Sequence, residues 1–480
     1  MSLDIEVKRE QLSVYTILFL VTFVFLLNSP QHPLRESAMF TDSGVFQTIA
    51  LAICDGLLPY RDSFDHKGPI LYIINLAGVL IGTKHGIWYI ELLTLFAFAV
   101  FVYKISRLVS GSLFVNLFAV ALSFCLLDNF YEGGNFTEEY AMPLIAYSLY
   151  VFLDFLINRN VTRWRIFACG LCFASVLLLR PNMIAVWIVF CPYIAALLLY
   201  RENWNKFLRF TILFLLGVLF LILPFMVGMF SLGIFESFID SYILFNLSYT
   251  KTDATTLFFS VLFFGTNLIF VFSVLGSLYL VRDDKKNRSI FFVYFCYLVL
   301  SLLLVALPGR FYGHYGMVLV PAIAFPVTSI VVYLLKINNS NVLIKFVSLS
   351  ILFVGLGHWS SIMLRGQDKL DEDILNMITI IQNVTGPNDR ISVYGNWDAL
   401  YVLSQRKHAT KYSYQFPIGQ VRPEILTDYI EALRVEKPPV VVIQLGRNKD
   451  LLINKFLSDY NYKPIYSNGH QIFVKERTDK

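Results

Sequence analysis

The chain has 480 residues, 56% of them hydrophobic and only 15% charged, a balance outside that of soluble globular domains. It reads as a polytopic membrane protein, and its net charge of +5 falls mainly in alternate loops, reporting topology rather than nucleic-acid binding. Cys125, Cys169, Cys172, Cys191 and Cys296 lie inside apolar runs, which excludes a disulfide framework; the Cys169/Cys172 pair, mid-membrane and without a second pair, reads as packing.

Apolar runs starting at Leu12, Ile87, Leu113, Tyr140, Ile166, Met183, Phe207, Leu257, Ile290, Met317 and Val342 predict about eleven spans on the ~20-residue criterion. The first follows MSLDIEVKREQ with no small-residue cleavage site, so it reads as a retained span. Lys8 and Arg9, Lys104 and Arg107, Arg159, Arg163 and Arg165, Arg201, Lys206 and Arg209, Arg282 to Arg288, and Lys336 and Lys345 occupy alternate connections. The positive-inside rule puts these, with the N-terminus, in the cytoplasm of a protein integral to the cytoplasmic membrane.

Segment 69–83, PILYIINLAGVLIGT, is short. As a crossing it would put the basic NRNVTRWR outside and the acidic EGGNFTEEY inside, so it and segment 44–55 read as helices along the outer interface. The first external loop then covers 28–86. The other external connections are 128–139, the Arg180-Pro181-Asn182 turn, 231–256 and 308–315. From about 366 the composition changes to alternating helix and strand patterns, with PPVVVIQL and HQIFVKE as strands. The domains expected are therefore 1–365, transmembrane, and 366–480, a soluble α/β domain outside the membrane. No internal repeat is visible, which counts against inverted-repeat transporters.

The chemistry concentrates in 40–69, FTDSGVFQTIALAICDGLLPYRDSFDHKGP. Asp42 precedes a helical pattern and would serve as a helix cap, but the same loop also gathers Asp55, Asp62, Asp65, His66 and Lys67. A carboxylate partly desolvated at a membrane boundary suits deprotonation of an incoming hydroxyl, which makes Asp42 the candidate base. Lys67, before a Pro-started helix, would either snorkel or meet a lipid phosphate. GRFYGHYG adds Arg310, Tyr312, His314 and Tyr315, and Arg180 closes another external loop. Lys67, Arg180, Arg310 and His314 on one face would bind a phosphate leaving group by charge-assisted hydrogen bonds. Glu138 and Glu139, at the mouth of a span, fit either helix-start acids or groups that bind sugar or acceptor, assist the base or hold a divalent ion, while Asp65, His66, Tyr312 and Tyr315 would meet sugar or acceptor. A divalent metal stays open, since the spacing of Asp65 and His66 has no metal specificity.

Asp42 after the first span, the Lys67-Gly68-Pro69 step, the acidic Glu138-Glu139 loop and the external run from Arg310 to Tyr315 together resemble the GT-C glycosyltransferases. The likeness is to the bacterial branch of the protein O-mannosyltransferase and lipid A aminoarabinose transferase superfamily (glycosyltransferase family 39-like). Where that family often has Asp-Glu and Lys-Pro-Pro, this chain has Asp-Ser and Lys-Gly-Pro. The resemblance implies transfer of one sugar from a polyprenyl-phosphate donor to a hydroxyl acceptor (envelope glycan, lipid or protein) on the outer face, usually with inversion. Asp42 would be the base, with Lys67 and Arg310 holding the phosphate. Two alternatives share the cationic face: a lipid-linked oligosaccharide ligase or polymerase, and a polyprenyl-lipid flippase or transporter.

Overall fold

The computed structural model describes residues 2–35, 41–82, 84–159, 162–250, 252–284, 287–337 and 372–476. Its first part is a helical bundle: α1 (Ser2–Leu26), α2 (Thr41–Cys54), α3 (Pro69–Gly82), α4 (Lys84–Arg107), α5 (Leu113–Asp128), α6 (Thr137–Asn158), α7 (Arg163–Leu177), α8 (Ala185–Leu197) and α9 (Trp204–Ser231). Short α10 (Phe235–Phe238) and α11 (Phe245–Tyr249) lead to α12 (Ala254–Gly265), α13 (Leu268–Asp283), α14 (Arg288–Ala306) and α15 (Ala324–Ile337). Among the described residues five helices are long and apolar enough to cross a membrane, or six if a bent pair counts as one span. Shorter apolar helices fill most of the remaining expected positions, and the run at Val342 lies outside the described residues.

The run from Leu257, expected as one span, is two helices, α12 and α13, meeting at 91°. The break falls at Gly265-Thr266-Asn267, where Asn267 starts a new helix by accepting the Ile269 N–H at 3.0 Å, a local cap that competes with helix continuation. α9 turns Ile212, Leu216, Phe220, Leu223 and Val227 outward, a continuous apolar face that only a lipid environment leaves without penalty. α7 and α9 cross closely where Gly170 faces Gly217; a methyl group on Gly170 would lie 2.1 Å from the Phe214 carbonyl oxygen, the small-residue packing common between helices in membranes.

α2 and α3 have 14 residues each, about 21 Å at 1.5 Å per residue and short of a ~30 Å hydrocarbon core. They fall on segments 44–55 and 69–83, which the sequence pattern lays along the outer interface. α2, however, is not laid open on an interface: Ser43, Phe46, Gln47, Ile49 and Ala50 are all buried. Gln31, Asn135 and α3 cover one side of it, where Ser43 and Gln47 lie, and the C-terminal domain covers the other. That domain comprises α16 (Glu372–Val384), β1 (Arg390–Tyr394), α17 (Ala399–Ser404), β2 (Lys407–His408), α18 (Ile418–Val421), α19 (Glu424–Glu436), β3 (Val440–Ile443), α20 (Leu451–Asp459), β4 (Tyr462–Asn468) and β5 (His470–Lys475).

The sheet order is β2-β1-β3-β5-β4, parallel through β2, β1 and β3 and antiparallel where β5 joins β3 and β4. The strands expected in PPVVVIQL and HQIFVKE are the adjacent β3 and β5. β4 carries Pro464 beside a register shift and lies at the edge, where a missing N–H is tolerated. α17 rests on α2 at Gly44: a Cβ there would meet the Ala399 nitrogen at 2.5 Å. Lys407 to Asp55 at 2.8 Å, Arg422 to Asp240 at 2.7 Å and Ser63 Oγ to His408 Nε2 at 3.1 Å secure the same junction.

Candidate active site

A cavity of about 220 Å³ lies where α2, the start of α3, the loop before α6, the segment after α14 and the C-terminal domain converge. Asp42 and Lys67 line it from the first loop, Glu132 from the second, Tyr249 from α11, Tyr312, His314 and Tyr315 from the late loop, and Asn396 and Tyr414 from the C-terminal domain. Among the described residues neither the Asp42 carboxylate nor the Lys67 ammonium has an ion-pair partner.

The Lys67 position is fixed through its backbone. Its carbonyl accepts from the Tyr60 hydroxyl at 2.9 Å and the Tyr72 hydroxyl at 3.2 Å. The next residue, Gly68, donates its N–H to the Leu179 carbonyl at 3.1 Å. A Cβ on Gly68 would stand 1.9 Å from the Leu178 carbonyl oxygen, so the first proline of a Lys-Pro-Pro step has no room here. Pro69 opens α3, where its missing N–H costs nothing.

Asp65 is buried and fully occupied. It accepts from Tyr414 at 2.8 Å, from Tyr72 at 3.0 Å and from the His66 N–H at 2.7 Å. Burial raises its pKa, against the pull of Lys67 and these hydrogen bonds. His66 is held by Asn246, whose Oδ1 is 3.2 Å from Nδ1 and whose amide donates to the His66 carbonyl at 2.7 Å. Burial, then the Lys67 and Arg180 charges, push His66 well below the ordinary imidazole range, so it is neutral and not a second cation.

The remaining charges are largely paired with one another. Arg180 forms a buried ion pair with Glu138 and stacks on Tyr315, 3.8 Å from the ring centre. Glu138 also accepts from Thr137 Oγ1 at 2.7 Å. Glu139 accepts the Asn135 N–H at 2.8 Å and belongs to a buried polar network behind the cavity, in which Asn135 also bonds Ser43, Asn75 and Tyr140. His314 Nδ1 lies 2.6 Å from Glu132 Oε2, and Glu132 Oε1 accepts the Gly313 N–H at 2.9 Å. Burial raises the Glu132 pKa, but the His314 contacts outweigh it and hold the carboxylate below its ordinary value. The His314 ring is stacked on Phe136 at 4.1 Å. Arg310 covers the Tyr249 ring at 4.6 Å.

A family model, the competence-induced protein Ccs4 N-terminal domain, matches residues 4–356. The chain belongs to this Ccs4 family. No curated protein sequence matches the Ccs4-family chain significantly. Among solved structures, ArnT from Cupriavidus metallidurans bound to undecaprenyl phosphate is similar over 98% of this chain and 98% of its own, with 12% identity and a TM-score of 0.66. The apo state of the same ArnT gives 10% identity and 0.64 over the same shares. An Archaeoglobus fulgidus oligosaccharyltransferase in complex with Zn and sulfate follows at 13% identity and 0.49, covering 90% of this chain and 68% of that one. The Ccs4-family chain therefore has an ArnT-like GT-C fold with a small C-terminal sheet domain.

Of the residues singled out in the sequence, Asp42, Asp65, His66, Lys67, Tyr312, His314 and Tyr315 line the cavity together. Arg180 and Glu138 stand beside it as a pair through Tyr315, Arg310 stands beside it on Tyr249, and Glu139 lies behind it. Among the described residues no three His, Cys, Asp or Glu side chains gather as a metal-binding group. Sequence reasoning missed Glu132, Tyr249, Asn396 and Tyr414. Glu132 was visible as part of the acidic loop; Asn396 and Tyr414 reach the cavity from hundreds of residues away and carry no local pattern.

Proposed function

We propose that this protein is a GT-C glycosyltransferase that moves a single sugar from a polyprenyl-phosphate donor to a hydroxyl acceptor on the extracytoplasmic face. The observation that carries the reading is the cavity in which a carboxylate, Asp42, and an ammonium, Lys67, neither with an ion-pair partner among the described residues, stand among residues of four other segments. The full-length likeness to an ArnT that binds undecaprenyl phosphate supports the donor class. The volume of about 220 Å³ is below the ~300–1,000 Å³ of drug-sized pockets and favours one sugar over a transferred chain.

In this reading Asp42 takes the proton of the acceptor hydroxyl, whose oxygen attacks the anomeric carbon from the face opposite the phosphate. The sugar–phosphate C–O bond breaks, its electron pair leaves with the polyprenyl phosphate, and the configuration inverts. Lys67 meets the charge that grows on that oxygen, with Arg310 and His314 nearby. Arg180, already neutralised by Glu138, acts by holding the Tyr315 wall. Tyr312, Tyr315, Asp65, His66 and the Glu138-Glu139 turn form the walls that meet sugar or acceptor. The basic connections facing the opposite end of the bundle support an extracytoplasmic site.

Purified protein, a labelled polyprenyl-phosphate sugar and a membrane extract as acceptor test this. Asp42→Asn is expected to lower transfer at least a hundredfold with donor binding retained, and Lys67→Ala to weaken donor binding. Undiminished transfer by Asp42→Asn removes the base assignment. A product grown by many sugars would favour the ligase or polymerase, and movement of labelled lipid in liposomes without covalent transfer would favour a flippase.

A further inference from the structure

The opposite end of the bundle holds a second, larger cavity of about 440 Å³. Glu138 opens the 22-residue α6 and Arg159 caps its far end, about 33 Å away at 1.5 Å per residue, so the two cavities serve opposite membrane faces. Val151, Phe152, Phe155, Ile194 and Phe210 make the interior apolar, while Arg159, Arg163, Lys206, Arg209 and the Thr162 hydroxyl form the rim.

Among the described residues Arg159, Arg163 and Arg209 have no ion-pair partner, and Asp154, the nearby acid on α6, is already held by Arg165 at 2.6 Å and Asn158 at 2.9 Å. α7 and α9 both begin at this rim, capped by Thr162 and Asn203, and their positive dipole ends add to the same potential. Trp164 and Trp204, 70% and 59% exposed, flank it as headgroup-level anchors. An excess of cytoplasmic arginine accounts for the charge but not for an apolar cavity beneath it. A soluble anion would satisfy only the rim and an uncharged lipid only the interior.

We propose that this cavity binds an anionic phospholipid, with its phosphate on Arg159, Arg163, Arg209 and Thr162 and one acyl chain between α6, α8 and α9. The site does not depend on the transferase reading, because its residues lie a membrane thickness from Asp42 and Lys67.

Delipidated full-length protein in detergent is titrated with phosphatidylglycerol by native mass spectrometry, with diacylglycerol and inorganic phosphate as separate arms. One phosphatidylglycerol is expected to bind with at least tenfold preference over diacylglycerol, undisturbed by millimolar inorganic phosphate. The triple variant Arg159→Ala/Arg163→Ala/Arg209→Ala is expected to weaken it tenfold or more. Ile194→Trp, which fills the cavity and leaves the rim intact, is expected to weaken it too. On the wild-type protein, phosphatidylglycerol with a photoactivatable headgroup is expected to label the 158–165 segment, a readout that survives a poorly folded variant. Equal binding of diacylglycerol, displacement by inorganic phosphate, unchanged affinity in well-folded variants, or labelling confined to other segments would each overturn the proposal.

Discussion

Asp398 offers a direct test of how the C-terminal domain is docked. It begins α17 against α2, is completely buried and makes no capping hydrogen bond, and among the described residues only the Ser413 side chain comes near its carboxylate as a donor, without closing a full hydrogen bond. Burial above all, then the charges of Asp65 and Asp42 across the junction, push its pKa from the ordinary 3.8 to about 7, while Ser413 pulls the other way. Between these two values the unfolded chain releases a proton that the folded protein keeps, so stability falls as pH rises and levels off above the folded pKa. At about 1.4 kcal/mol per pH unit the cost is about 1–2 kcal/mol at pH 5 and about 4 kcal/mol at pH 8. Asp398→Asn removes the titration. The expected result is an advantage of the variant over wild type that grows by about 2–3 kcal/mol between pH 5 and pH 8, read as a widening gap in thermal unfolding of the purified protein. Two profiles that stay parallel across that range would refute the argument, whatever their offset.

Three other perturbations follow from the same packing. Arg180→Ala leaves Glu138 charged and buried without its partner, at about 3–5 kcal/mol, and Glu138→Gln in the same chain should recover most of the loss in thermal unfolding. Gly68→Ala sets a methyl 1.9 Å from the Leu178 carbonyl; a loss of about 1–3 kcal/mol is expected, and Gly68→Pro should cost more because it also deletes the N–H bonded to Leu179. Gly44→Leu wedges α2 from α17 and should speed limited proteolysis of the C-terminal domain severalfold; cleavage at the wild-type rate would show that the junction does not depend on that contact.

The architecture was legible because its signals are local. Apolar runs mark most helices, and the shortness of segment 69–83 already shows the 14-residue α3. The split between α12 and α13 was hidden because Gly265, Thr266 and Asn267 are each tolerated within an apolar run, and only the cap formed with Ile269 shows that the helix restarts. β4 was hidden by Pro464. The burial of α2 could not be read at all: its partner α17 lies some 350 residues on, and the sequence of α2 alone looks like an interfacial helix.

The same distance effect governs how the charges divide. In the sequence Lys67, Arg180, Arg310 and His314 are four candidate phosphate ligands on one face, and four such groups on one lipid phosphate would hold the product as firmly as the transition state, which gains no rate. Packing makes them unequal. Glu138 neutralises Arg180, Glu132 engages His314, and Arg310 lies on an aromatic face. Lys67 alone among the four lines the cavity without an acidic partner among the described residues. A compact, rotatable ammonium suits an oxygen whose charge appears only as the bond breaks. On the proposed mechanism, therefore, Lys67→Ala should lower kcat as well as donor affinity, whereas Arg310→Ala should act mainly on affinity; equal loss of kcat in both would mean that the phosphate is shared after all.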